Sequence, residues 1–377
     1  MSDTSGLDTG RPELDVDLSG PGEGRPGSGA GRSRDGVGRS PDGVDGFVTG
    51  AERAGDEVSD PWLGRILREG ATPGLLDALA ERLSPADLQT LLLAVYRRRV
   101  SAVTPGGLLR QYERDRFTAL SPVDAGVLVR LDVLMHDQLT RHGFAAVELS
   151  PVCPLGTNSA VATVDQNKVL TTIRNTEVVA DATNVMALEC AVRRRELLRA
   201  DPRSRQRVRL GTTHRVLRAQ VFGPGMMAHF KLLGLCTAGR DEGSFDFETE
   251  ALAEHVGLHL DVVEKARALG PHASSVRVAV TDLTGGRHRQ VLRERVLDHL
   301  APRHPGVIFA FDDGRERGRG YYTGACFEIN AITPEGETVN LGDGGFTTWT
   351  ADLLSNAKER LLVSGLGVER LWGLSVP

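Results

Sequence analysis

THRVLRAQVFGPGMMAHFKLLGLCTAG, residues Thr213 to Gly239, holds two apolar runs on either side of a Gly223-Pro224-Gly225 turn. With its upstream flank the first run reads VRLGTTHRVLRAQVF, and the second is AHFKLLGLCTAG. Apolar runs of this kind bounded by Gly and Pro predict two strands joined by a turn. Arg215 lies inside the first run, where burial is costly because a guanidinium keeps its charge. Such a residue needs a carboxylate, such as Glu148, Asp181 or Glu328, or else an anionic ligand. Arg317 in RGRGYYTGACFEI (Arg317 to Ile329) and Arg370 in GLGVERL raise the same question. Three such arginines brought together would make a phosphate site. Composition leaves both outcomes open. The paired Tyr321 and Tyr322 equally fit an ordinary strand entered through a glycine turn.

Outward from this stretch the pattern mixes helices and strands. SPVDAGVLVRLDVLMHDQLTRHGF predicts a long amphipathic helix capped at Ser121, followed by a strand, AAVELSP, that closes on Pro151. KVLTTIRN and TEVVAD read as paired strands and ATNVMALECAVRRRELLRA as a helix. After the central pair come a helix over FETEALAEHVGLHLDVVEKARAL, a strand at VRVAVTDL, a helix at VLRERVLDHL and a strand at GVIFAFDD. ETVNLGDG, a helix at ADLLSNAKERLL and GLGVERLWGL complete the chain, and the glycine-rich NLGDGG reads as a loop. Many neighbouring strands with interspersed helices predict an α+β fold with an antiparallel-rich sheet rather than a regular βαβ array.

Upstream, residues 61–117 predict a small helical region, with Ser84-Pro85 and Thr104-Pro105 as N-cap and first-turn pairs. The YRRRV run in it fits a solvated helix face better than a phosphate patch. Residues 1–60 are so rich in Gly, Asp, Ser, Pro and Arg that they predict a disordered tail.

The 377-residue chain has a formal net charge of -5 and a sequence pI near 6.1, so no global basic field points to nucleic acid. Cys153, Cys190, Cys236 and Cys326 form no CxxC pair and read as reduced thiols. No apolar run approaches the roughly 20 residues of a membrane helix, and the N-terminus lacks a signal-peptide core. A cytoplasmic protein is expected. Walker A, GxSxG and HExxH sequences are absent, and the ten histidines make no metal-ligand spacing, so no metal site is expected from the protein's own residues.

Taken in order, five segments resemble the catalytic core of class II aminoacyl-tRNA synthetases, in particular histidyl-tRNA synthetase and its paralogue, the regulatory subunit of ATP phosphoribosyltransferase. LTRHGFAAVELSP is similar to the first class II motif, the dimer-forming helix and strand, with Pro151 as its proline. The Thr213 to Gly239 stretch is similar to the second, and the resemblance puts Arg215 at the phosphate-binding arginine and Phe230 at the adenine-stacking ring. GLGVERL is similar to the third, with Arg370 on the ATP γ-phosphate. VVADAT resembles the segment that holds the substrate ammonium, here Asp181 and Thr183. RGRGYYTGACFE resembles the histidyl signature, with Arg317 as catalytic arginine and Tyr321 and Tyr322 beside the amino-acid pocket. The resemblance spans about Ser121 to the C-terminus and implies a core domain over 118–377, a homodimer, and ATP and Mg²⁺ as cofactors.

Departures from the family sharpen the expectation. The adenine-reading glutamate two residues after the second-motif arginine is Leu217, and the histidine-reading side chains correspond to Leu232 and Cys236. Such a pocket should not select histidine, because unpaired polar ligand atoms are penalised more than apolar contacts return. Cys236 then lines a pocket for a smaller, less polar amino acid. The family's glycine-strand arginine is Phe346, the aspartate before the tyrosines is Gly320, and the chain ends after the third motif without an anticodon-binding domain. These features argue against tRNA charging. They leave an enzyme forming an acyl-adenylate of a small amino acid or related carboxylate for a non-tRNA acceptor, such as a carrier protein. The alternatives are a non-catalytic subunit that senses an amino acid or nucleotide for a partner enzyme, and a bare dimer scaffold.

Overall fold

In the computed structural model, which describes residues 61–70, 74–221, 227–270, 275–333 and 336–373, the two runs form adjacent antiparallel strands, second and third in the order of an eight-stranded sheet. The expected tail, residues 1–60, lies outside the described residues.

The first described elements are helices: α1 (Pro61–Glu69), α2 (Leu75–Asp77) running into a wide turn at Ala78–Arg82, α3 (Pro85–Val100) and α4 (Pro105–Tyr112). Ser84 accepts from Asp87 N–H and Thr104 from Gly107 N–H, so both Ser/Thr-Pro pairs cap helices as expected. No residue of α2, α3 or α4 is buried. Arg116 ties this region to the sheet by donating to the carbonyls of Ala219 and Gln220.

Helix α5 (Ala125–Arg141) is capped by Asp124, whose Oδ1 accepts from Val127 N–H at 3.0 Å, so it starts three residues later than a Ser121 cap would place it. Val127, Leu128, Leu131, Met135 and Leu139 give it a buried stripe of helical period. Strand β1 (Ala145–Ala146) is shorter than the expected run, and β2 (Val152–Pro154) begins beyond Pro151. The partner of β3 (Thr176–Val178) is β2, not KVLTTIRN, which contributes one bridge at Thr171. A buried carboxylate sets this pairing. Glu177 accepts from the N–H groups of Gly156 and Asn158 and from the amides of Asn158 and Gln166, drawing residues 156–166 around β3.

Then follow α6 (Ala182–Ala200), β4 (Val208–Leu217), β5 (His229–Arg240), α7 (Asp246–Ala266), β6 (Ser275–Asp282), and the short helices α8 (Arg289–Leu292) and α9 (Asp298–Leu300). The chain ends with β7 (Val307–Phe311), β8 (Thr323–Ile332), β9 (Thr338–Thr347), α10 (Trp349–Leu354), β10 (Glu359–Gly367) and α11 (Val368–Gly373). Sheet order is β1-β4-β5-β10-β9-β8-β6-β7, antiparallel throughout except for the parallel edge pairs β1/β4 and β6/β7. NLGDGG is therefore strand, not loop: it forms part of β9. A Cβ at Gly342 would lie 2.2 Å from the Gly365 carbonyl oxygen, so glycine lets β9 close on β10. Among the described residues no helix is long and apolar enough to cross a membrane, and all four cysteines are buried and unbridged.

Period-two alternation divides the sheet into two faces. Leu233 and Leu235 of β5 pack with α5 and α7 in the larger core. Cys236, with Leu210 and Val363, packs under α6 and Trp349 on the other. The buried Arg194 of α6 makes two bonds to Glu359 of β10, at 2.7 and 2.9 Å, bracing α6 to the sheet. On the α7 side, His255 Nδ1 and His259 Nε2 each lie 2.8 Å from Ser364 Oγ, and Thr237 holds the other nitrogen of His255. Burial, then the neighbouring His259, pushes His255 well down; burial, then His142, pushes His259 down to about 3. Both rings are thus neutral in the fold and take up protons below pH 6.5 only on unfolding. Their contribution is complete above that pH and is lost as pH falls; for His259, held near 3, the loss is about 2 kcal/mol at pH 5. Urea denaturation from pH 7 to pH 5 should show this loss, and His259→Asn should lower the proton uptake on unfolding by about one. An unchanged uptake would contradict a neutral, buried His259.

Candidate active site

Asp181 stands at the N-terminus of α6 and has two tasks. Its Oδ1 accepts from Thr183 N–H at 2.9 Å and Thr183 Oγ1 at 2.8 Å, capping the helix. Its Oδ2 accepts from Arg218 Nη2 at 3.2 Å. Arg218 follows the end of β4, is 8% exposed, donates from Nε to the Ala180 carbonyl at 3.0 Å, and lies 5.0 Å over the Phe230 ring. Burial lowers its pKa, opposed by the charges of Asp181, Tyr321 and Asp343.

Arg215 is on the other face. Residues 216 and 218 share a side of the strand, and residues 215 and 217 share the opposite one. There Arg215 pairs with Glu369 at 3.0 Å and meets His229 Nδ1 at 3.0 Å, while its cross-strand neighbour Lys231 reaches Asp132 of α5. Arg215, expected at the phosphate position, thus lies on the face opposite Asp181 and Phe230, and Arg218 occupies the face with them. The residue two beyond Arg218 is Gln220, an amide, so the contrast drawn at Leu217 moves with the arginine. Counting alternation from the apolar Val216 carries the signal in sequence.

The opposite wall is the segment from Arg315 to Tyr322. Tyr321 meets Tyr322 edge-on at 4.9 Å and Trp349 at 5.5 Å. Burial, then Asp181 and Asp343, pushes the Tyr321 phenol well up, with Arg218 opposing. Buried Arg315 organises the segment: Nε donates to the Arg317 carbonyl at 2.9 Å, Nη2 to Asp343 Oδ2 at 3.2 Å, and Nη1 lies 3.3 Å from Glu328. Its guanidinium stands 6.0 Å from the Tyr322 ring centre. Arg319 Nε donates back to the Arg315 carbonyl at 2.7 Å. Arg317 itself is exposed on the turn. Arg370, at the start of α11, donates to the Asn340 carbonyl at 2.5 Å. Burial pushes Arg370 down to about 10, helped by the like charges of Arg218 and Arg317 and opposed by Asp343.

Asp181, Thr183, Phe230, Tyr321, Tyr322, Arg317 and Arg370 therefore gather around one face, joined by Arg218, Arg315 and Asp343, which the sequence reading did not single out. Cys236 lies beneath this face, near enough to Asp181 and Tyr321 for their charges to act on one another. It is fully buried, its Sγ is 3.7 Å from the Thr183 carbonyl, and burial, then Cys190, pushes its thiol well up. Two surface clefts of about 990 and 730 Å³ lie elsewhere and share no residue with the cluster.

No protein-family model and no curated protein matches the sequence. Among solved structures, the fold is that of a class II aminoacyl-tRNA synthetase core. It is similar to histidyl-tRNA synthetase of S. aureus, with TM-score 0.50 and 14% identity over 68% of this chain and 67% of that one. It is also similar to a Bacillus halodurans protein described as an ATP phosphoribosyltransferase regulatory subunit/histidyl-tRNA synthetase, with TM-score 0.50 and 15% identity over 70% and 83% of the two chains. At such identities the likeness is one of fold.

The closeness of Tyr322 to the sheet is testable. A Cβ at Gly345 would lie 2.6 Å from the Tyr322 ring and 2.7 Å from Cys326 Cβ. Gly345→Ala should therefore cost about 1–3 kcal/mol by overpacking, read from the urea midpoint. A wild-type midpoint would mean that Tyr322 does not rest on β9.

Proposed function

We propose that the protein binds ATP and a small amino acid and joins them as an acyl-adenylate for a non-tRNA acceptor, such as a carrier protein. What carries the reading is the gathering of three guanidiniums, from Arg218, Arg317 and Arg370, with Asp181, Phe230 and Tyr321 on one face. Burial first, and then the like charges of Arg218 and Arg317, depress the pKa of Arg370, and an anionic ligand would offset both. The donor set fits a triphosphate and a flat ring: guanidiniums for phosphate oxygens and Phe230 for the base. Among the described residues no group of three or more His, Cys, Asp or Glu is placed to hold a metal. Mg²⁺ would arrive on the phosphates, as its reluctance to shed water favours.

In this reading the amino acid's ammonium rests on Asp181 and Thr183, and Arg218 holds its carboxylate beside the α-phosphate. One carboxylate oxygen attacks the α-phosphorus, the bond to the bridging oxygen breaks, and pyrophosphate leaves with that electron pair. The arginines stabilise charge spreading over the phosphate oxygens, with Arg370 at the leaving end and Arg317 at the reacting centre. Tyr321 and Tyr322 wall the amino-acid pocket. Val129 and Val133, about two-thirds exposed on α5, support a homodimer through that helix, and a cytoplasmic location suits an ATP-using enzyme. A second reading, a regulatory subunit that senses an amino acid or nucleotide for a partner enzyme, draws support from the missing adenine-reading glutamate, since Gln220 stands two residues beyond Arg218.

ATP–pyrophosphate exchange with Mg²⁺ across the amino acids separates the two. The enzyme reading expects exchange with at least one amino acid, and a drop of about 100-fold or more in Arg370→Ala and Arg317→Ala. Amino-acid binding with no exchange would transfer the site to the regulatory reading.

A further inference from the structure

Asp343 has no role in the adenylate reading so far, yet it sits among that reading's residues. It projects from the middle of β9, across from Gly365 of β10 and Glu328 of β8. Its charge bears on Tyr321, Tyr322 and Arg370. Oδ2 is held by Arg315, but Oδ1 has no donor among the described residues, and 36% of the side chain is open. An accessible carboxylate oxygen within a ring of protein groups is a receptor for a donor carried by a ligand.

The surroundings favour a charged donor. Burial raises Asp343's pKa, Glu328 and Asp181 add to it, and Arg315 and Arg218 oppose it, so a ligand cation at Oδ1 would favour the ionised carboxylate more than a hydroxyl would. The edge-to-face cluster of Tyr321, Tyr322 and Trp349 adds aromatic surface that a cation also prefers. The arginines suit carboxylate and phosphate, and Asp181 suits the α-ammonium. Oδ1 of Asp343, the oxygen that Arg315 does not hold, is left for a second positive group on the substrate.

We infer that the amino acid taken by this pocket is a diamino acid, whose side-chain ammonium is bound by the free oxygen of Asp343. Asp343 is then the residue that sets specificity, and Arg315 positions it, being bonded at once to Asp343, Glu328 and the Arg317 carbonyl. This inference rests on the reading of the site as an amino-acid pocket.

The test is calorimetric titration of the full-length protein, without ATP, by 2,4-diaminobutyrate, ornithine, homoserine and norvaline. One of the two diamino acids should bind at least about tenfold more tightly than both homoserine and norvaline. Asp343→Asn should remove that preference, so that in this variant the diamino acids bind no more tightly than norvaline. Glu328→Gln weakens the hold on Arg315 but keeps the Asp343 carboxylate, so it should preserve the preference. Homoserine or norvaline binding as tightly as both diamino acids overturns the inference. So does an equal loss for all four ligands in both variants, which would make Asp343 only a brace for Arg315. Exchange driven by a neutral amino acid alone would sink this inference while sparing the adenylate reading. Diamino-acid binding that depends on Asp343, without any exchange, would do the reverse.

Discussion

A guanidinium inside a protein cannot release its proton, so the chain must bring carboxylates and carbonyls to it. Arg218 meets that demand through Asp181 and the Ala180 carbonyl, and in doing so ties the end of β4 to the first turn of α6. The same carboxylate caps α6 with its other oxygen. One residue therefore fixes the helix start, the strand end and the position of the arginine above Phe230. Arg315 answers the same demand from the other side, bonded to Asp343, Glu328 and the Arg317 carbonyl. The candidate site is the space these two buried arginines define.

Much of the fold was legible because its signals are local. Alternating or continuous apolar runs marked the long strands, Ser84 and Thr104 marked helix starts, and helical spacing marked α5. What escaped depended on distant partners. The β2/β3 pairing is organised by a buried Glu177 whose donors lie up to 21 residues away. NLGDGG has a loop's composition, but its glycines exist to let β9 close on β10, a constraint set by the neighbouring strand. The choice of Asp124 over Ser121 as cap is one turn of helix, too little for composition to decide.

The site was legible by residue type and illegible by direction. Arg215 and Arg218 are three apart, so opposite faces of the sheet claim them, and only counting alternation from Val216 separates the two. Cys236 has the right parity yet lies sealed beneath Thr183, because α6 packs directly upon it. Asp343 and Arg315 drew no notice because neither belongs to a recognised pattern; their meaning comes from the β8/β9 register and from each other.

The proposed function turns on Arg218, which shares a face with Asp181 and Phe230, rather than Arg215, meeting ATP. Calorimetric titration of ATP–Mg²⁺ into wild type, Arg218→Gln and Arg215→Gln, each checked for folding by far-UV circular dichroism, tests it most directly. The account predicts that Arg218→Gln weakens ATP binding by about tenfold or more, while Arg215→Gln binds as wild type does. A folded Arg218→Gln variant with wild-type affinity, beside an Arg215→Gln variant that has lost it, would contradict the account.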